Sequence, residues 1–139
     1  MTFGLILDAS VAVAFVLANE ERSVDAQRLM ELVVERPALV PAIRPFEIGH
    51  VPVKKVRQRT IADAEAERAL FDLYQLPIAV VGESRGIIAE AVWSLALRHR
   101  IGLYDASYIA LALQTGLPLA TFDHRMRGVA EAERVTVLD

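Results

Sequence analysis

Five short apolar runs, FGLIL, ALVP, PIAVV, PLATFD and VTVL, punctuate the chain, and every gap between them has room for at least one helix. The first run shows no polar alternation, which is the pattern of a strand buried on both faces. Between the runs lie segments of helical length and period: SVAVAFVLANEE, SVDAQRLMELVVE, FEIGHVPVKKVRQR, TIADAEAERALFDLYQ, ESRGIIAEAVWSLALRHR, YDASYIALALQT and HRMRGVAEAER. Short strands alternating with helices predict an α/β fold, a parallel twisted sheet flanked by helices on both faces.

Local signals sharpen the boundaries. Pro37 stops the second helical segment, and Pro45 suits the first turn of the third, where a missing N–H costs little. Thr60 and Asp63 have the spacing of a helix N-terminal cap. Gly116 stands where a helix beginning near Tyr104 should end. No internal repeat, low-complexity tract or Gly/Ser linker divides the 139 residues, so one domain over 1–139 is expected.

The N-terminal stretch FGLILDASVAVAFVLA is as apolar as a signal peptide. It has no basic stretch before it, Asp8 interrupts it and NEER follows, so neither export nor membrane spanning is expected. The chain has no cysteine, which excludes a disulfide framework and a thiolate metal site and makes a reducing cytoplasm the expected compartment.

In a sheet of this kind, ligands bind outside the carboxyl ends of the strands. Asp8 follows the first apolar run and Asp123 closes PLATFD, so both belong to that edge. Asp105 lies in the first turn of a helix. Each has an ordinary reading when taken singly: Asp105 favoured by the helix dipole, Asp8 starting a helix with Ser10, Asp123 as a turn residue. Together they would bring like charges to one place in apolar surroundings, and one would be forced to protonate. A hard divalent cation removes the conflict, and Mg²⁺ or Mn²⁺ suits oxygen ligands of this type. Glu47, between Phe46 and Ile48, is a fourth candidate, with a solvated helix face as its ordinary reading.

The stretches LILDASVAVAFVLANEE, VPAIRPFEIGHVPVKKVRQ and LALRHRIGLYDASYIALALQTGLPLATFDHRMRGVA resemble a PIN domain, and within that family the VapC-type ribonuclease toxins of toxin–antitoxin pairs. The resemblance covers nearly the whole chain. It implies that Asp8, Glu47, Asp105 and Asp123 are the four acidic positions of the site, with Asp8 and Asp105 as principal Mg²⁺ ligands. Asp123 would complete the shell directly or through water, and Glu47 would orient a water or bind a second ion. Ser10 and Thr121 would support the cluster. The implied activity is hydrolysis of an RNA phosphodiester, with a VapB-like antitoxin and a second copy of the chain as partners.

Two positions depart from the family pattern. Pro52 falls inside the helix carrying Glu47, where it removes a backbone hydrogen bond, and His50 stands where a small amide is expected. They leave open a catalytically degenerate PIN fold that only binds a partner. Glu47 and His50 also form a Glu-x-x-His pair, but a di-iron bundle needs a second such pair. A phosphoaspartyl enzyme of the haloacid-dehalogenase type would want an acid where Ser10 stands.

The net charge of −3 neither favours nor excludes a nucleic acid. Setting aside the four candidate ligands leaves 14 acidic against 15 basic residues. Arg98, Arg100, Arg125 and Arg127 lie near the acids in sequence, and Lys54, Lys55, Arg57 and Arg59 form a basic cluster. These are candidate RNA contacts, although Lys54 and Lys55 would equally suit a solvated helix face.

Overall fold

The computed structural model describes residues 2–17, 21–42, 44–81 and 89–139, with side chains for all of these except 44–49 and 89. In chain order the elements are β1 (Ile6–Leu7), α1 (Ala9–Val16), α2 (Ser23–Glu35), β2 (Ala38–Val40), α3 (Arg44–Arg57) and α4 (Asp63–Tyr74). They continue with β3 (Ile78–Val80), α5 (Ala89–His99), α6 (Leu103–Thr115), β4 (Leu119–Ala120), α7 (His124–Ala132) and β5 (Val137–Leu138). The five strands form one parallel sheet in the order β3-β2-β1-β4-β5. Each expected strand is present, and the central ones are shorter than the apolar runs that encode them.

Burial along the strands follows their two-residue period. Ile6 and Leu119 pack with α5, α6 and α7, whereas Leu5, Leu7 and Ala120 pack with α1 and α2 on the other face. α2 buries Ala26, Leu29, Met30 and Val33, one stripe at helical spacing. α6 is enclosed more fully, with Ala106 and Tyr108 to Ala112 all buried. Helix α6 ends at Gly116, whose φ of 71° is the left-handed conformation that glycine adopts without steric cost. Ile6 is wholly buried in the central strand, and truncating such a side chain to alanine typically costs about 2–5 kcal/mol.

Two local expectations meet the structure differently. Thr60 does not cap the fourth helix: its hydroxyl donates to the Lys55 carbonyl at 3.0 Å, closing α3. The N-cap of α4 is Ala62, with no side-chain cap. The carbonyls at the end of α3 need donors, and Thr60 gives both its N–H and its hydroxyl to that of Lys55. Helix α3 runs through Pro52, which is buried within it. Among the described residues, no helix is long and apolar enough to cross a membrane.

Candidate functional site

The site begins with the pairing of β1 and β4. Ile6 faces Leu119 and Leu7 faces Ala120, so the next residues, Asp8 and Thr121, leave the sheet side by side. The Asp8 N–H donates to the Ala120 carbonyl at 3.0 Å, which carries the ladder one step beyond the strands. Asp8 is the N-cap residue of α1 by position, but its carboxylate makes no cap hydrogen bond. It is only 4% exposed.

The Asp8 side chain is held through one oxygen. Ser10 Oγ donates to Asp8 Oδ2 at 2.6 Å, and Thr121 Oγ1 donates to the same oxygen at 2.9 Å. Each hydroxyl in turn accepts a backbone N–H: Phe122 N donates to Ser10 Oγ, and Asp123 N donates to Thr121 Oγ1, both at 3.1 Å. A hydroxyl has a single proton. Because both hydroxyls accept from the backbone, both direct that proton to Asp8. Among the described residues, Oδ1 of Asp8 receives no hydrogen bond, although the side chain is buried. A buried carboxylate oxygen without a donor is costly unless a cation meets it.

Asp105 is the third residue of α6, whose N-cap is Gly102, and it is half-buried. Its carboxyl is raised above its ordinary value, first by burial, then by the negative charges of Asp8 and Asp123. The Arg125 guanidinium acts in the opposite direction. The three aspartates therefore share one electrostatic environment, although two of them are separated by almost the whole sequence.

Asp123 also fulfils its ordinary reading. Its Oδ1 accepts the Met126 N–H at 2.9 Å and caps α7. That leaves one oxygen of Asp123 for another partner. Among the described residues, no group of three or more acidic or histidine side chains is gathered closely enough to hold a metal ion without water or the side chain of Glu47. An open set of hard oxygen donors, one of them buried and without a donor among the described residues, fits Mg²⁺, which keeps several of its waters. The side chain of Glu47 lies outside the described residues. His50 is exposed on α3.

The basic candidates separate into two groups. Arg98 donates to Glu133 from Nε at 3.1 Å and from Nη2 at 2.6 Å, beside His99 on the same oxygen at 2.6 Å. Arg127 pairs with Glu131 at 3.1 Å and with Asp139. Arg100 and Arg125 are exposed and linked, with Arg125 Nη2 donating to the Arg100 carbonyl at 2.8 Å. Lys54 is exposed and Lys55 half-buried on the last turn of α3.

Sequence reasoning did not find Arg22. Its guanidinium lies 4.2 Å from the centre of the Phe122 ring, and its Nε donates to Asp25 at 2.7 Å. The stack secures the residue whose backbone N–H holds Ser10. No spacing rule reports a contact between residues so far apart in the chain.

Comparison with known proteins adds a family to this geometry. The family model described as PIN domain matches residues 5–132. Ribonuclease VapC3 of Pyrobaculum aerophilum is 31% identical over 122 residues, covering 88% of this chain and 91% of that protein. Ribonuclease VapC1 of Mycobacterium tuberculosis is 33% identical over 115 residues, covering 83% and 84%. Among solved structures, PAE2754 from Pyrobaculum aerophilum superposes with a TM-score of 0.74 at 20% identity, covering 99% of this chain and 92% of that one. Mycobacterium tuberculosis VapC20, described as a Sarcin-Ricin loop cleaving toxin, has a TM-score of 0.62 at 19% identity, covering 90% and 94%.

Proposed function

The chain belongs to the PIN domain family, among the proteins named VapC, and on that premise we propose that it is a divalent-metal-dependent ribonuclease toxin restrained by a VapB-like antitoxin. In this reading residues 1–139 form one PIN unit that hydrolyses RNA phosphodiester bonds in the cytoplasm and works as a homodimer. The observation that carries it is Asp8: a buried carboxylate fixed by two hydroxyls through Oδ2, with no hydrogen bond to Oδ1 among the described residues, and with its charge and that of Asp123 felt by Asp105.

Asp8 and Asp105 would hold Mg²⁺, with Mn²⁺ able to substitute, and Asp123 would reach it through its oxygen not used in capping. Bound there, such an ion activates water and neutralises phosphoryl oxygens. The protein's own contribution is position. Ser10 and Thr121 fix the angle of the Asp8 carboxylate, so the charge is in place before substrate arrives. Glu47 would orient the attacking water or bind a second ion. Arg100 and Arg125 would receive phosphates, with Lys54, Lys55 and Arg98 as further candidate contacts. The non-catalytic alternative drew on Pro52 and His50, and the continuity of α3 through Pro52 weakens it.

The test is cleavage of a mixed RNA pool by antitoxin-free protein with Mg²⁺, with Mn²⁺ and with chelator, comparing wild type and Asp105→Asn. Metal-dependent cuts that disappear in the variant are expected. No cuts and no metal-induced rise in melting temperature would leave the binding module as the better reading.

A further inference from the structure

Helix α6 carries an aromatic ring out of the core at the edge where the acids lie. Tyr104 and Tyr108 are one turn apart on α6, so their side chains share a face. Tyr108 is completely buried, whereas Tyr104 is 63% exposed. The core ends between them, and the ring of Tyr104 stands beyond it, adjacent in sequence to Asp105. Leu103, the residue before Tyr104, is also exposed.

Arg100 precedes that ring by four residues, and Arg125 is linked to Arg100 across the fold. Arg100, just before α6, has a φ of 56°, a left-handed conformation that glycine adopts freely and that an arginine adopts at a steric cost. Arg125 is tied to the Arg100 carbonyl and lies close enough to Asp105 to lower its carboxyl pKa. Among the described residues, neither Arg100 nor Arg125 forms an ion pair, in contrast with Arg98 and Arg127. An exposed aromatic ring four residues from Arg100, which is itself linked to Arg125, is the chemistry that recognises a nucleotide outside a helix, with its base on the ring and its phosphates on the arginines.

We infer that Tyr104 is a positioning residue on which the base flanking the scissile phosphate stacks, while Arg100 and Arg125 take the adjoining phosphates. The inference rests on the ribonuclease reading and adds to it that the nucleotide at the cut is unstacked when it binds. A base within a duplex presents no free face to Tyr104. The ring touches no reacting atom, so its loss weakens the hold on RNA and leaves metal binding unchanged.

The experiment uses an RNA whose cut has been mapped, and the same RNA with an abasic nucleotide placed on either side of that cut. Wild type, Tyr104→Phe and Tyr104→Leu are compared. Tyr104→Phe keeps kcat/KM within about twofold, because stacking needs the ring and not the hydroxyl, while Tyr104→Leu lowers it roughly 5- to 150-fold. The loss resides in KM, and the Mg²⁺-induced rise in melting temperature is unchanged. One of the abasic substitutions lowers wild-type kcat/KM by a similar factor and adds little to the loss in Tyr104→Leu.

Arg100→Gly becomes more stable to heat while the slope of log kcat/KM against log salt falls by about 0.7, the value of one phosphate contact on a single strand. A variant that gains stability with no change in slope overturns the role of Arg100. Wild type cutting both abasic RNAs as fast as the intact one overturns the stacking role without recourse to any variant. A Tyr104→Leu protein that cuts like wild type, or whose loss multiplies fully with that of the abasic site, does the same. Wild type that cuts no RNA overturns the ribonuclease reading itself, an outcome distinct from these because no variant comparison then arises.

Discussion

Thr121→Val removes one oxygen from the centre of the site and leaves the shape of the core almost intact. Thr121 is 1% exposed, so the replacement methyl lies where the hydroxyl was and opens no cavity. Two interactions are lost: donation to Asp8 Oδ2 at 2.9 Å and acceptance from the Asp123 N–H at 3.1 Å. A hydrogen bond to a charged group contributes about 1.5–3 kcal/mol, and an unpaired, part-buried N–H costs about 1–3 kcal/mol. Allowing for relaxation, the metal-free variant should be less stable by roughly 2–4 kcal/mol, which for a chain of this size lowers the melting temperature by roughly 6–15 °C.

Circular dichroism melts with Mg²⁺ and with chelator measure both the loss and its effect on the site. Without Thr121 the Asp8 carboxylate is steered by Ser10 alone, so the stabilisation by Mg²⁺ should shrink although every carboxylate remains. Thr121→Ser keeps the hydroxyl and should preserve the Mg²⁺ effect while losing about 1 kcal/mol for a missing methyl. Ser10→Ala combined with Thr121→Val should be non-additive, because both hydroxyls serve the same oxygen. A Thr121→Val protein that melts within about 2 °C of wild type and keeps the full Mg²⁺ response would refute the reasoning, since the magnitude above leaves no room for it.

Asp105→Asn should raise the melting temperature of the metal-free protein at neutral pH and abolish most of the Mg²⁺-induced gain. The sign follows from its carboxyl, raised by burial and by Asp8 and Asp123: stability is greatest below its unfolded-state pKa and falls as pH rises through its folded-state pKa. A pH series of melts in chelator should show that acid-side gain in wild type and not in the variant. Glu133 has the opposite sign, because hydrogen bonds from His99 and then Arg98 lower its carboxyl pKa. Its contribution is present above the ordinary glutamate range and is lost as pH falls through its lowered value, so Glu133→Gln should flatten the acid limb of the stability curve. Arg134→Gly, at an exposed residue with a φ of 63°, should stabilise the protein by about 1 kcal/mol in urea unfolding.

Much of the fold is legible because its causes are local. Apolar runs without alternation mark buried strands, the spacing of Ala26, Leu29, Met30 and Val33 marks a helix face, and Gly116 marks a helix end. That Asp8 follows the first strand was equally legible, and so were the place of Asp123 between β4 and α7 and that of Asp105 in the first turn of a helix. Thr60 was misread because a hydroxyl between two helices can serve either, and its spacing to Asp63 does not record the Lys55 carbonyl that it meets in the fold. Arg98 stood among the candidate RNA contacts on sequence proximity to the acids, yet in the fold its guanidinium binds Glu133, a partner 35 residues away.

The sequence by itself determined the sheet's composition, its two-sided burial and the types of oxygen ligand available, since each depends on residues within a few positions of one another. Only the tertiary structure decided that β1 and β4 are neighbours. That adjacency brings Thr121 to Asp8 across 113 residues and makes two hydroxyls share one carboxylate oxygen, while the other meets no donor among the described residues. A hydrogen bond is set by distance and angle in space, which the spacing of residues along a chain does not contain.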